Sequence, residues 1–286
     1  MIMRAATAVA LLLSGVPVLA QTVEAQTAAV ETVSPEVQAI FDALLLPEVI
    51  DVMEREGRGH GEDLAATIFG GRSVPEDWAS LVAVIYDPAH MEAEVLASLA
   101  ENLAGEDTAA IRAFLEAEPG RSMTALELAA REAMMDEDVE QEAKEAAAVA
   151  VFENSSRLDL LRRYAEANDL VDTNVAGTMN TNFAYLTGLM DGGALTGRMT
   201  ETDVLADIWA QEPQIRADTE EWVYSFLLKA YEPASDTDIE ALIAFSETEP
   251  GQALNRAVFE AFDERFQDIS RSLGLAAARY MTSDEI

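Results

Sequence analysis

From Ser34 onward, apolar side chains return every three or four residues along the chain, and Gly, Pro or Asp breaks the pattern at short intervals. That spacing puts one apolar stripe on a helix, whereas a half-buried strand would alternate at every second residue. Ala, Leu, Glu and Met dominate the periodic stretches, and all of them favour helix. The pattern predicts an all-α fold. Ser34 followed by Pro35 reads as an N-cap and first helical position, so the folded body is expected to start there, after a flexible N-terminal segment at 21–34. The last helix carries the clearest stripe: Leu254, Val258, Phe259, Phe262, Phe266, Ile269, Leu273 and Tyr280 share one face. Arg256, Glu260, Asp263, Asp268 and Arg271 fall between them, on the side expected to be wet.

Sliding the sequence along itself reveals an internal repeat. DTAAIRAFLEAEPG, from Asp107 to Gly120, aligns without gaps on DIEALIAFSETEPG, from Asp238 to Gly251, with eight of fourteen positions identical. Upstream, Ile50-Asp51 resembles Val171-Asp172, and Gly70-Gly71 resembles Gly192-Gly193. The chain therefore reads as two tandem, structurally similar helical bundle units, at 35–150 and 151–286, related by duplication. At the joint, Glu137 to Ala150 is rich in Glu and Ala without Gly or Pro, and is expected to be a helix continuing into the second unit.

Inside the repeated block, Phe114 with Ile111, and Phe245 with Leu242 and Ile239, mark inward faces. Pro119 and Pro250 disfavour helix in the residue before them, so each ends one helix and opens the next, with Gly120 and Gly251 following. Thr248 can cap the final helix through its hydroxyl; Ala117, at the matching place in the first unit, cannot. The second corner is expected to be the better formed.

The block carried by Asp238, Leu242, Ile243, Phe245, Thr248, Pro250, Gly251 and Leu254 resembles the bacterial family known as domain of unknown function 2059, best at about 223–281. One departure is that Glu249 separates Thr248 from Pro250, where the family places proline directly after Ser or Thr. The resemblance implies an exported helical protein and supplies no activity, catalytic residue or cofactor.

Export is also read from the N-terminus. Arg4, the apolar run from Ala5 to Leu13, the break at Gly15 and Pro17, and the small residues Val18 and Ala20 predict a signal peptide at 1–20. Its apolar core is shorter than the roughly 20 residues that span a bilayer as a helix. With Cys 0 there is no lipid-attachment cysteine, and a periplasmic or secreted product without membrane insertion is expected.

Composition narrows the function. Asp and Glu number 53 against 18 Lys and Arg, for a formal net charge of −35, which repels phosphate backbones and anionic lipid and argues against nucleic-acid binding. An apolar content of 50% is ample for a packed core despite that charge. Without disulfides, packing alone must hold it.

Candidate chemistry is sparse. His60, beside Glu62 and Asp63, has the donor types of a metal site, but His90 is the only other histidine and no paired spacing exists, so a solvated loop histidine is the better reading. Asp172, Asn174 and Gly177 echo a calcium loop, yet Ala176 and Phe183 occupy later ligand positions and exclude it. The Asn and Thr residues between Thr173 and Asn182 point to a polar helix face or a kink. The acidic run Asp136 to Glu142 reads as a solvated face, and Asn154-Ser155-Ser156 as a helix N-cap. Trp78, Trp209 and Trp222, with Tyr86 and Tyr224, are core anchors before they are the lining of a groove. No catalytic set, metal site or cofactor is predicted. The expectation is a non-catalytic periplasmic scaffold that binds a protein partner or itself; the alternative is a carrier of an apolar small molecule or lipid between amphipathic helices.

Overall fold

The computed structural model describes residues 33–197 and 199–283, and among these every regular element is a helix. The signal peptide expected at 1–20 lies outside the described residues, as does most of the segment 21–34. The first half contains α1 (Pro35–Ala43), α2 (Leu46–Phe69), α3 (Trp78–Ile85), α4 (Pro88–Asn102), α5 (Thr108–Glu116) and α6 (Gly120–Ala133). After α7 (Glu137–Phe152) come α8 (Ser156–Ala167), α9 (Leu170–Asp191), α10 (Glu201–Ala230), α11 (Asp236–Ser246) and α12 (Glu249–Ser283).

Local chemistry sets the boundaries. Ser34 Oγ accepts the Val37 amide at 3.2 Å, so α1 begins where the Ser-Pro pair predicted. α10 and α11 open with reciprocal capping boxes, Thr200 with Asp203 and Ser235 with Asp238. Thr248 Oγ1 accepts the Gly251 amide at 3.1 Å, which satisfies one free donor of α12. Replacing Thr248 with alanine is expected to lower stability by about 1 kcal/mol in urea denaturation; an unchanged midpoint would mean that water serves the amide equally well. The helix expected at the joint is α7, but it stops at Phe152 rather than running on. Asn154 takes a positive φ of 52° and turns the chain before α8. Ser155 holds the N-cap position of α8 without donating or accepting a side-chain bond there.

Two local features recur in both halves. α1 and α8 are each followed by a single left-handed, non-glycine residue, Leu45 (φ 54°) and Asp169 (φ 50°), before the long helices α2 and α9. Such a conformation is rare outside glycine, and it recurs here at the same corner. α1 packs on α5 as α8 packs on α11.

Neither half completes its own core. Met123 and Ala130 of α6 pack with Leu160 and Leu161 of α8, Val223 and Leu227 of α10, and Ile239 and Ile243 of α11. Leu254, Val258, Phe262, Ile269 and Leu273 of α12 close the core formed by α1 to α5. Each half's last helix thus reaches into the other, α6 lying on α10, and α12 on α4 as well as on α9 of its own half. An ion pair ties α6 back to α2, where Arg131, only 8% exposed, meets Glu56 at 2.8 Å.

α12 buries more than the predicted stripe. Ala257, Ala261, Ala277 and Ala278 are also buried, and the helix runs against α9 at very short range. A Cβ on Gly274 would lie 2.2 Å from the Tyr185 carbonyl oxygen, and one on Gly188 2.2 Å from that of Arg271. The polar run of α9 lies upstream of this contact. Thr173, Asn174, Thr181 and Asn182 are buried in an unbroken helix, and Asn180 donates to Asp263 of α12 at 3.2 Å. Of the two readings, a polar face or a kink, the structure shows an unbroken helix whose polar face is internal.

Candidate functional site

Where the two cores meet, a pocket of about 230 Å³ opens between α2, α5, α6, α8, α9, α10, α11 and α12. A single water needs only about 10–15 Å³ measured this way, so the space is large enough for a small organic molecule. Both copies of the repeated motif build its wall. Phe114 and Phe245 stack face to face, with ring centroids 3.9 Å apart and planes 3° from parallel. Behind each ring sits the motif glycine. A Cβ on Gly120 would fall 2.2 Å from the Phe114 carbonyl oxygen, and one on Gly251 2.0 Å from that of Phe245. Only glycine lets the next helix start against the end of the previous one, and that tight corner aims both rings at the pocket. Thr248, Pro119 and Pro250 shape the same corners from outside the lining. Trp222 and Phe226 add a second stacked pair, with centroids 5.1 Å apart.

Besides Thr124 and Asn174, which bond carbonyls of their own helices, the polar groups of the pocket fall into two sets. Asn168, Ser246 and Asn255 largely serve one another: Asn168 donates to Ser246 Oγ at 3.0 Å, and Asn255 donates to the Asn168 carbonyl at 3.0 Å. The second set is centred on Glu127 of α6. Its carboxylate accepts from the Tyr231 hydroxyl and is also bonded to Tyr164, while the two tyrosine rings meet edge to face at 5.8 Å. Burial pushes the Glu127 carboxyl up to about 7, against the pull of the two phenols. Burial likewise raises both tyrosines, and the neighbouring Glu127 charge adds to it. Arg131, one turn along α6, also lines the pocket, but its charge is taken by Glu56. Arg157 fixes the far side of the cluster by donating to the carbonyls of Tyr231 and Ala234 and pairing with Asp236.

None of Glu127, Tyr164 and Tyr231 was singled out by the sequence reading. A signal existed: Met123, Glu127 and Ala130 share one face of α6, so a charged residue stands in line with buried apolar ones.

The other candidates lie elsewhere. His60 belongs to α2 rather than to a loop, its Nε2 is buried, and burial lowers its pKa while Asp63 opposes the shift. Among the described residues, no group of three His, Cys, Asp or Glu side chains is placed to hold a metal ion. Asp172, Asn174 and Gly177 lie inside helix α9, where Asp172 pairs with Arg216 of α10. The acidic run from Asp136 caps and opens α7. The aromatics do not share a groove: Trp78 and Tyr86 are in the first core, Trp222 faces the pocket, and Trp209 is 65% exposed.

Compared with known protein families, with curated proteins and with solved structures, the chain gives no match.

Proposed function

We propose that the protein binds a small, largely apolar molecule in the pocket between its two cores. The observation that carries this reading is the pocket itself, walled by stacked aromatic rings and furnished with one half-buried acid whose partners are two phenols. A mostly apolar concavity with few, convergent polar groups is the usual form of a small-molecule site. The carrier reading therefore ranks above the scaffold reading. A protein-partner role keeps one support, the apolar end of α7, where Val149, Val151 and Phe152 are 54%, 53% and 86% exposed.

Three further elements belong to the same proposal. The matched corners at Leu45 and Asp169, and at Gly120 and Gly251, support an origin by duplication. The Thr248 cap supports kinship with the exported family of domain 2059. Among the described residues no helix is long and apolar enough to cross a membrane, which is compatible with a periplasmic or secreted product. We assign the pocket to binding, with no catalytic step.

The test is fluorescence titration with N-phenyl-1-naphthylamine, an uncharged apolar dye that brightens when it leaves water. Saturable binding at one dye per chain is expected, and Leu128→Trp, which fills the pocket, should weaken it at least tenfold while helical circular dichroism is retained. Absence of saturable binding, or equal binding by Leu128→Trp, would overturn the reading.

A further inference from the structure

The charge balance inside the pocket selects among apolar ligands, given the small-molecule reading above. Glu127 and Arg131 are the charged side chains on its lining, and Arg131 is already paired with Glu56 at 2.8 Å. Asn168, Ser246 and Asn255 bond one another. Thr124 and Asn174 donate to carbonyls of their own helices, at 3.1 and 2.6 Å, so the charged group left for a ligand is the Glu127 carboxyl, bonded by Tyr231 and Tyr164, whose hydroxyls are donors to an ionised acid. The groups facing it are thus two phenols, from α8 and from the end of α10, and the neutralised Arg131 of its own helix. The rings of Phe114, Phe245, Trp222 and Phe226 line the same pocket. A negative group in a pocket walled by aromatic rings is complementary to a cation with an apolar body, which gains from the ion pair and from burying that body, and the outer faces of the stacked pairs are open to the ring quadrupole's attraction for positive charge. A carboxylate ligand would instead meet Glu127 charge against charge. The formal net charge of −35 acts in the same sense at long range, raising the local concentration of cations.

We propose that the pocket takes an organic cation, an amine on an apolar body, with the ammonium on the Glu127 carboxylate and the body against the stacked rings. Its apolar part occupies the space that the uncharged dye probes, so the two readings can fail separately.

The experiment is isothermal titration of the full chain at pH 8 with octylamine, octan-1-ol and octanoate, which share a chain length and differ in head group. Octylamine is expected to bind at least tenfold more tightly than octanol, with octanoate weakest. Glu127→Gln should bring octylamine down to the octanol level, and Tyr164→Phe, which keeps the carboxyl, should weaken it less. Equal binding of octylamine and octanol, octylamine binding undiminished in Glu127→Gln, or no octylamine binding where the dye still binds, would each overturn the cation assignment and leave the pocket reading standing. Failure of the dye as well would remove both. Should Glu127→Gln lose its helical signal, the amine-to-alcohol ratio in the wild type decides alone.

Discussion

Gly274→Ala is expected to destabilise the protein by about 3 kcal/mol or more, although a helix interior normally gains about 0.5–1 kcal/mol from that exchange. The sign reverses because the added methyl has nowhere to go. It would lie 2.2 Å from the Tyr185 carbonyl oxygen and 3.0 Å from the Gly188 Cα, and both obstacles are backbone. α9 and α12 would have to separate, and α12 also closes the first core, so the loss spreads beyond the contact. Gly188→Leu should be worse, since it drives a larger group at the Arg271 carbonyl. Gly59→Ala supplies the contrast within the same protein: nothing lies within 4 Å of its Cβ, so ordinary helix propensity should make that variant slightly more stable. Urea denaturation of the three variants checks the ordering. A Gly274→Ala protein as stable as wild type would show that the two helices are not in contact as described.

The second large effect is a pH dependence centred on Glu127. Its carboxyl titrates at about 7 when folded, against an ordinary value of 4.5. Below the lower value both states hold the proton and the site is neutral to stability. Between the two, the unfolded chain releases its proton while the folded chain keeps it, so stability falls as pH rises. Above 7 the folded chain carries a buried charge, and the accumulated loss is about 3 kcal/mol from the difference between the two values. Glu127→Gln cannot titrate there, so the variant should gain on wild type by about that amount between pH 4.5 and pH 8. Taking the difference cancels the other acids, whose contributions are common to both proteins. A stability difference that is the same at both pH values would place Glu127 in contact with water.

Much of this architecture is legible in the sequence because it follows from local rules. Ser34-Pro35, Thr248 and the spacing of Leu254, Val258 and Phe262 announce helices and their ends through capping and periodicity, which act over a turn or two. The repeated FxxxxPG block marks the two corners for the same reason, and the structure gives it a shared geometry behind Phe114 and Phe245. What the sequence conceals is which helix lies on which. Asn174, Asn182 and Thr173 read as a polar face or a kink, yet they are buried in a helix packed against α10 and α12, and Gly188, Gly192 and Gly274 let α9 and α12 touch backbone to backbone. Glu127 is hidden similarly. A glutamate in a helix ordinarily faces water, and only the exchange of α6 into the second core turns it toward Tyr164 and Tyr231.

That exchange has a kinetic side. Ser98 of α4 bonds Glu264 of α12 across 166 residues of chain, and the hydrophobic closure of α1 to α5 waits on the same C-terminal helix. As the chain leaves the ribosome, its early half stays unfinished, with greasy surface uncovered, until α12 has been made. Such a molecule acquires its native shape late and all together, and in the meantime its safety from aggregation rests on mutual repulsion among its many acids.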